Sequence, residues 1–391
     1  MNPDLFRNSS AGKVIKTPKD FYAFIPNPLP PDIVWSPELV AVLSDADRAL
    51  GQLAGLGRTL YNPHLLMLPF LRREAVLSSR IEGTQASLSD LYAYEAIQIP
   101  LFEESKPDVR EVYNYVQALE YGLKRIETLP LSLRLLREIH ATLMAGVRGE
   151  FQTPGEFRRS PNWIGPPGSN LNTAPYVPPP VPEMMEALNA FERFLYADSM
   201  LPPLIRLGLI HYQFEAIHPF LDGNGRMGRL LIILLLVEWK LLPSPLLYLS
   251  VYFEASRQTY YDLLLKVSQR GTWQEWLTYF LQGVTSQAND AVTRSRRLQH
   301  LRENYRQQLQ TQRTPAKLLQ AIDLLFVRPV LTIQQMQTEL DISFATAGKY
   351  VSQLQDKNIL REMTGQARNR IFLAEAILQT IDEPLPTPDS E

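Results

Sequence analysis

The sequence predicts a mainly α-helical protein of two or three domains that ends in a winged helix-turn-helix. Through most of residues 38–286 of the 391-residue chain, apolar residues recur at three- and four-residue steps, the spacing of helices buried on one face. A stretch at 149–182 with nine prolines breaks that pattern and is expected to form loops with a small β-hairpin. Residues 314–375 follow the order helix, helix, helix and then a Gly-centred strand pair, which is typical of a winged helix.

The elements divide the chain into five predicted regions. Seven prolines and little periodicity in residues 1–37 predict an extended surface arm, and a first helix follows up to residue 59. A helical core is expected over 60–285, a solvated helical linker over 286–313, the winged helix over 314–382 and a disordered tail over 383–391. Within the core the helical spacing is clearest at 65–76, 112–126, 131–143, 183–196, 203–217, 226–242, 256–270 and 272–286.

Composition excludes several classes of protein. A net charge of −2 with 45% hydrophobic residues excludes a general polyanion binder and a disordered chain. The absence of cysteine excludes disulfides, thiolate zinc sites and a cysteine nucleophile, and it favours a reducing cytoplasm. The N-terminus has no signal-peptide pattern, and the most apolar run, 230–237, is about half the length of a membrane span. A cytoplasmic protein without a membrane partner is therefore expected.

The loop between the helices at 203–217 and 226–242 gathers residue types that suit a phosphate. Gly223 and Gly225 permit positive φ angles and close backbone approach, so that their amides and the start of the next helix can bind an anion. Arg226 and Arg229 stand three residues apart on one helix face, where both can reach a polyphosphate. The full run is His218-Pro219-Phe220-Leu221-Asp222-Gly223-Asn224-Gly225-Arg226-Met227-Gly228-Arg229.

Two further side chains of this loop suit group transfer. Asp222 is a hard oxygen ligand for Mg²⁺, and a neutral His218 can take the proton from a hydroxyl that attacks phosphorus. Taken singly, each feature has an ordinary alternative: a structural histidine before proline, a Gly-Asn-Gly turn, or arginines in solvent. Residues 223–228 also satisfy Gly-x-Gly-x-x-Gly, but a helix precedes them where a dinucleotide-binding unit needs a strand.

These twelve residues resemble the signature of the Fic (filamentation induced by cAMP) family, His-x-Phe-x-Asp/Glu-Gly-Asn-Gly-Arg-x-x-Arg, at every fixed position. The resemblance covers roughly residues 60–285 and implies an all-helical core with a β-hairpin flap over the site. It implies transfer of AMP from ATP to a Tyr, Ser or Thr hydroxyl of a protein, which can be the enzyme itself, with release of pyrophosphate. The Gly-Asn-Gly core of the loop separates the chain from the phosphorylating Doc branch of the family.

Carried over residue by residue, the resemblance assigns a role to each position. His218 would act as general base and Asp222 would hold Mg²⁺. The backbone amides of Gly223, Asn224 and Gly225 would contact the α- and β-phosphates of ATP. Arg226 would contact the β-phosphate and Arg229 the γ-phosphate. Gly228 would also belong to the ATP site, and Tyr260 and Tyr261 would lie on the adenine side. A tyrosine pair on a helix also suits partly buried packing.

The segment from Ala174 to Pro178 resembles the family's flap. Its residues Pro175, Tyr176 and Val177 would dock the target protein by strand addition, a mode that holds the backbone without reading much sequence. A proline-rich surface loop is the alternative for this segment.

A second motif, residues 78–83, resembles the family's inhibitory pattern Ser/Thr-x-x-x-Glu-Gly/Asn. The resemblance implies an inhibitory helix near residues 74–84 in which Ser78 and Glu82 stand, with Glu82 paired to Arg229. A bidentate carboxylate and a phosphate cannot share one guanidinium, so ATP would be misaligned. Glu82 could also help to remove AMP by positioning a water molecule. Without the resemblance, a solvated helix face would be expected for Glu82.

The C-terminal module is nearly neutral, with seven Lys or Arg against six Asp or Glu over 314–375. Its candidate DNA contacts are Ser343, Thr346, Lys349 and Gln353 on one helix and Arg368 and Arg370 on the wing. Six arginines at 294–313 could extend that surface, although a connector or a homodimer helix fits them equally well. The alternatives in function are a DNA-binding regulator whose Fic fold senses nucleotide, and transfer of another nucleotidyl or phosphocholine group.

Overall fold

The computed structural model describes residues 1–59, 64–97, 107–147, 153–310, 314–365 and 370–383, and it confirms the mainly helical fold class. Most of the predicted tail, 384–391, and Arg368 lie outside the described residues. The helices are α1 (Pro37–Thr59), α2 (His64–Ile81), α3 (Leu88–Ile97), α4 (Pro107–Arg125), α5 (Leu133–Leu143), α6 (Val181–Tyr196), α7 (Pro203–Ile217), α8 (Asn224–Glu238), α9 (Ser250–Ala255), α10 (Arg257–Arg270), α11 (Trp273–Leu309), α12 (Ala316–Val327), α13 (Ile333–Leu340), α14 (Phe344–Asp356) and α15 (Glu375–Asp382).

Two small antiparallel sheets accompany the helices. Strands β1 (Gly12–Lys16) and β2 (Tyr22–Pro26) form an N-terminal hairpin with Val14 opposite Phe24. Strands β3 (Val330–Thr332), β4 (Arg361–Glu362) and β5 (Ile371–Leu373) form the second sheet in the order β3-β5-β4. No helix among the described residues is long and apolar enough to cross a membrane.

The N-terminal hairpin corrects the prediction of an extended surface arm. Ala23 and Phe24 are fully buried, and the backbone amide of Phe24 donates to the carbonyl of Val177 at 2.9 Å. The Phe24 ring also packs against Phe6 and Tyr176, with ring centroids 5.5 and 5.9 Å apart. Short β-branched and aromatic runs between the prolines form this hairpin, and burying them against the core stabilises an arm that has no helical period of its own.

Helices α7 and α8 lie at the centre of the core. Almost every side chain of both helices is buried, which is the state expected of helices that are apolar on all sides. Gly208 of α7 allows close packing against α11, because a Cβ there would lie 3.1 Å from Leu277. Trp276 of α11 donates its indole N–H to the carbonyl of Gly208 at 2.9 Å. The loop between α7 and α8 is therefore fixed at both ends by the core.

Helix α11 runs without a break for 37 residues, so the helix does not end at residue 286 as expected, and the predicted helical linker is partly buried rather than solvated. Its second half is buried at Ala288, Ala291 and Leu298. The buried Arg294 bonds to Asp290 at 2.7 Å and also donates to two backbone carbonyls of α15. The prediction failed because this half of α11 is rich in Arg and Gln, although its apolar residues form a stripe on one face that packs in the core.

The C-terminal module, residues 314–383, packs against the helices near the second motif. Thr332 and Gln335 form a reciprocal cap at the start of α13, and the Ser343 hydroxyl accepts the amide of Thr346 to begin α14. Gln335 also donates to the carbonyl of Glu95 on α3 at 3.3 Å. Helix α12 lies against α2 and β3 lies against α3, so the module is joined to the core rather than tethered beside it.

Candidate active site

The loop between α7 and α8 is closed by one of its own side chains. The Asn224 carboxamide accepts the amide of Phe220 at 2.9 Å and donates to the Phe220 carbonyl at 2.8 Å. His218 ends α7 in a left-handed conformation with φ 51° and ψ 61°. Gly223 has a φ of 76°, whereas Gly225 lies within α8 and needs no positive φ, which corrects the prediction for Gly225. The reciprocal bonds of Asn224 hold the amides of this turn in place.

Gly225 is required for close approach rather than for its backbone angles. A Cβ at this position would lie 2.2 Å from the Oε1 atom of Glu82 and 3.1 Å from Nη1 of Arg229. The Glu82 carboxylate thus rests on the first turn of α8, where the helix presents its positive end. The first turn of α8 thus accommodates an anionic side chain of the chain itself.

Arg229 is held by Ser78 and Glu82 together. Its Nε donates to the Ser78 hydroxyl at 2.8 Å, and its Nη2 donates to the Ser78 carbonyl at 2.8 Å and to Glu82 Oε1 at 2.6 Å. Glu82 therefore meets Arg229 through one oxygen, not through the bidentate pair expected, and Ser78 binds Nε and shares Nη2 with Glu82. Among the described residues, Nη1 of Arg229 is buried with no hydrogen-bond partner.

Glu82 lies in the turn after α2, one residue past the helix end at Ile81. Gly83 follows with a φ of 98°, which reverses the chain. Burial opposes ionisation of Glu82, but the charge and hydrogen bond of Arg229 outweigh it and hold the pKa of Glu82 below its usual value. The inhibitory carboxylate is thus charged at neutral pH and stands on a turn, which can move more readily than a helix interior.

Arg226 has a carboxylate neighbour of its own. Its Nη1 donates to Glu111 Oε2 on α4 at 3.4 Å, and Glu111 also accepts the hydroxyl of Thr84 at 3.3 Å. Both members of the pair are nearly fully buried. The two arginines of the loop are therefore each tied to the segment around the second motif, Arg229 directly and Arg226 through Glu111.

The position of the Asp222 carboxylate is compatible with coordination of Mg²⁺. Its carboxylate accepts the amide of Gly223 at 2.6 Å, lies 3.8 Å from Nη2 of Arg226 and keeps 47% of its side-chain surface exposed. The described part of the chain holds no cluster of three or more acidic or histidine side chains that could enclose a metal alone. Mg²⁺ is commonly held by one carboxylate together with phosphate oxygens and water, which is the arrangement that a single exposed aspartate allows.

His218 is partly buried beside the loop. Burial and, to a smaller extent, the charge of Arg158 lower the pKa of His218 to about 4, although the backbone of Glu215 opposes the shift. Within the described residues, Nδ1 of His218 is shielded from solvent and has no hydrogen-bond partner. The imidazole is therefore neutral at pH 7 and able to accept a proton.

The flap consists of one antiparallel pair, Ile164 with Tyr176, bonded at 3.0 and 3.4 Å. Tyr176 and Val177 are buried: the Tyr176 hydroxyl donates to the Ala216 carbonyl at 2.8 Å, and the Val177 carbonyl accepts from the N-terminal hairpin. Of the three predicted docking residues, Pro175 is the exposed one. The backbone of Val177 is already paired, so a target strand could not add at that residue.

Two of the predicted ATP-binding residues serve packing. Tyr260 is 1% exposed and its hydroxyl bonds to Nε2 of His211 at 2.9 Å, which places it in the core rather than on the adenine side. A Cβ on Gly228 would lie 2.3 Å from a carboxylate oxygen of α7, so Gly228 allows the two helices to approach. Tyr261 is less buried, and its hydroxyl reaches the carbonyl of Ile81 at 3.4 Å. Of the predicted tyrosine pair, Tyr261 is thus the one that is not fully buried.

His140 of α5 contacts the loop through hydrogen bonds and ring stacking, and this role was not predicted. Its Nδ1 accepts the amide of Gly155 at 2.9 Å, so Nε2 carries the proton and donates to the Asp222 carbonyl at 3.0 Å. The ring stacks on Phe220 with a centroid distance of 3.7 Å. Burial lowers the pKa of His140 to about 4 and keeps it neutral. In the sequence it is one more residue on the inner face of α5, which gave no signal of this role.

The site therefore combines a turn of backbone amides at the start of a buried helix with two buried arginines and a neutral histidine. Residues 130–236 match the family model described as Fic/DOC family, and residues 40–124 match the model described as Fic/DOC family N-terminal. These two regions are thus similar to the Fic/DOC domain and to the N-terminal segment described for that family, and each match covers less than half of the chain.

Curated relatives share part of this region. A stretch of 161 residues is 28% identical to the protein adenylyltransferase Fic of Drosophila erecta and 27% identical to that of Drosophila melanogaster. Each match covers 40% of this chain and 30% of the relative. The matched stretch thus spans under a third of the length of these relatives.

Solved structures share the fold. A Fic family protein from Desulfovibrio desulfuricans G20 superposes with a TM-score of 0.56 at 20% identity and covers 88% of this chain and 98% of its own. Fic-1 from C. elegans superposes with a TM-score of 0.52 at 20% identity and covers 66% of this chain and 74% of its own. At this identity the likeness establishes the Fic fold and leaves the activity to the site itself.

Proposed function

We propose that the protein is a self-restrained protein adenylyltransferase that moves AMP from ATP to a Tyr, Ser or Thr hydroxyl of a protein and releases pyrophosphate. The observation that carries the proposal is the 2.6 Å contact of Glu82 with Arg229 over the first turn of α8. An acidic group of the chain stands where a nucleotide phosphate would bind. The name of the Drosophila relatives supports the same activity.

ATP is proposed to bind along the turn and the start of α8. The amides of residues 223–225 would contact the α- and β-phosphates, and Arg226 would contact the β-phosphate. Asn224 contributes only its backbone amide, because its side chain is fully used in closing the loop. Asp222 would hold Mg²⁺, which neutralises phosphate charge when bound.

His218 is proposed to act as the general base. Its neutral imidazole would take the proton of the target hydroxyl while the hydroxyl oxygen forms a bond to the α-phosphorus. The bond from the α-phosphorus to the bridging oxygen breaks, and pyrophosphate leaves with the electron pair. The low pKa of His218 suits this role because the ring stays unprotonated over the physiological range.

Restraint is proposed to arise from competition for Arg229. While Glu82 holds Nη2, the guanidinium cannot bind a γ-phosphate through that donor, and ATP would lie in an unproductive pose. Movement of the turn at 82–83 would free the arginine. The same carboxylate could position a water molecule for removal of AMP from a modified protein.

The C-terminal module is proposed to be a winged helix, and a homodimer is proposed as the assembled form. DNA contact is weakly supported, because the arginines of α11 and the wing are largely paired within the chain: Arg294 with Asp290, Arg302 and Arg306 with Asp323, and Arg370 with Glu362. Lys349 remains exposed on α14. A salt-dependent gel shift with the full chain would detect DNA binding if it occurs.

The proposal is tested by incubating the Glu82→Gly protein with a panel of nucleotides and reading the mass of the protein. Addition of AMP from ATP is expected, and His218→Ala in the same background should abolish it while binding of ATP persists. Addition from CTP, UTP or GTP in preference to ATP would replace AMP with another nucleotidyl group. No covalent addition from any nucleotide would refute group transfer.

A further inference from the structure

Arg158 lies between the loop and the flap, and it has an unusual environment for a cation. Its side chain is 1% exposed, and no ion pair reaches it within the described part of the chain. Burial lowers the pKa of Arg158 to about 10, so it remains charged at neutral pH. A buried cation without a carboxylate is costly, and it persists where its hydrogen bonds serve a specific arrangement.

The donors of Arg158 reach three segments at once. Its Nε donates to the carbonyl of His218 at 3.0 Å, Nη1 to the carbonyl of Ser160 at 3.2 Å and Nη2 to the carbonyl of Pro179 at 2.5 Å. Its backbone amide donates to the carbonyl of Pro219 at 2.9 Å. Ser160 and Pro179 lie on the two chain segments, the arms of the flap, that lead into and out of the Ile164–Tyr176 pair, and His218 with Pro219 begins the loop before α8.

We propose that Arg158 is a positioning residue that fixes His218 relative to both arms of the flap. This inference rests on the proposed function, since it concerns how the proposed base is oriented toward a hydroxyl bound at the flap. It is independent of the contacts that Glu82 makes with Arg229.

The backbone of His218 gives a physical reason for this positioning. A left-handed conformation is strained for a residue with a Cβ, and a proline after it restricts the backbone further. The Arg158 side chain binds the His218 carbonyl and its backbone amide binds the next carbonyl, that of Pro219, and both bonds hold that conformation. Two further bonds join the flap to this region, from Asn162 to the Phe220 carbonyl at 2.9 Å and from Tyr176 to the Ala216 carbonyl at 2.8 Å.

Only arginine offers this geometry. Its planar guanidinium presents donors in several fixed directions, whereas a lysine ammonium cannot satisfy three carbonyls arranged around a plane. Lysine would keep the positive charge but lose the positioning, and methionine would lose both. The two variants therefore separate positioning from charge.

The test uses Arg158→Lys and Arg158→Met in the Glu82→Gly background, with Arg159→Met as the control. Arg159 is 85% exposed and, among the described residues, its ion pair is with Glu156, so it is adjacent to Arg158 in the sequence but does not share its contacts. Transfer rates are measured with saturating target, and binding of a non-hydrolysable ATP analogue is measured by calorimetry. Histidine ¹³Cε1 resonances are titrated by NMR, with the His218 signal assigned by its loss in His218→Ala.

Both Arg158 variants should lower kcat by about 10²-fold, a usual cost of misplacing a reacting group, with analogue binding and KM for ATP little changed. Arg158→Met should raise the His218 pKa by about one unit, while Arg158→Lys leaves it low. Unchanged kcat in Arg158→Lys, or an equal loss in Arg159→Met, would overturn the proposal. So would an unchanged His218 pKa in a folded Arg158→Met protein.

Failure of the proposed function gives a different result. If the Glu82→Gly parent transfers nothing from any nucleotide, group transfer fails, yet the NMR titration still reports whether Arg158 controls the His218 ring. If Arg158→Met does not fold, Arg158→Lys decides the matter through kcat alone.

Discussion

Glu82→Gly is the perturbation that most directly measures restraint. The change removes a carboxylate oxygen 2.6 Å from Nη2 of Arg229 and opens the face of Gly225 that the carboxylate covers. Because Glu82 stands after the last residue of α2, glycine there does not interrupt a helix. A single donor that stabilises charge at a reacting phosphate is worth about 10² to 10³ in rate, so kcat for AMP transfer should rise by about 10²-fold.

The assay is the initial rate of incorporation from labelled ATP at saturating Mg²⁺. Glu82→Gln keeps the shape and a weaker, uncharged hydrogen bond, so its rate should lie between those of the parent and Glu82→Gly. Glu186→Gln, at an exposed position of α6, serves as the control and should leave the rate unchanged. Equal rates for the parent, Glu82→Gln and Glu82→Gly would refute the competition for Arg229.

Three other perturbations test the site and its support. With Glu82→Gly as the parent, kcat/KM should hold steady as the pH falls from neutral and decline only near pH 4, because the base must be neutral and the pKa of His218 is lowered to about 4; a decline centred near 6.5 would contradict this. Asp222→Asn should raise the Mg²⁺ concentration for half-maximal transfer by about tenfold, equivalent to about 1.4 kcal/mol of lost binding, and an unaltered requirement would remove Asp222 as the ligand. Gly208→Ala should cost about 1–3 kcal/mol in urea unfolding, since its Cβ would lie 3.1 Å from the buried Leu277 and 3.2 Å from the buried Phe280, whereas Gly51→Ala, with nothing within 4 Å, should not destabilise; equal stabilities would refute the packing role of Gly208.

The sequence predicted the structure best where the spacing of apolar residues and the chemical types of the side chains indicate the same element. The helices on either side of the loop followed from apolar spacing, and the loop itself followed from a dense run of residues with few other uses. The contact between Glu82 and Arg229, 147 residues apart in the chain, followed only from the resemblance of two short motifs. Spacing alone could not have joined them.

The rest depends on tertiary contacts that leave no local trace. The N-terminal hairpin forms because the flap and core bury Phe24, and α11 stays helical past residue 286 because its apolar stripe packs along its whole length. From the sequence, His140 is an ordinary core residue of α5, and only the structure shows that its ring stacks on Phe220. Arg158 reads as a surface arginine in a proline-rich loop, and only the fold reveals that its donors meet three carbonyls.

The central claim is that the site cleaves ATP at its α-phosphorus and leaves AMP on a protein hydroxyl. It is tested most directly by presenting Glu82→Gly protein with ATP labelled either at the α-phosphate or at the γ-phosphate and measuring label bound covalently to protein. AMP transfer predicts stable incorporation of the α label alone, which His218→Ala should abolish. Incorporation of the γ label would show phosphoryl transfer and would refute AMP transfer.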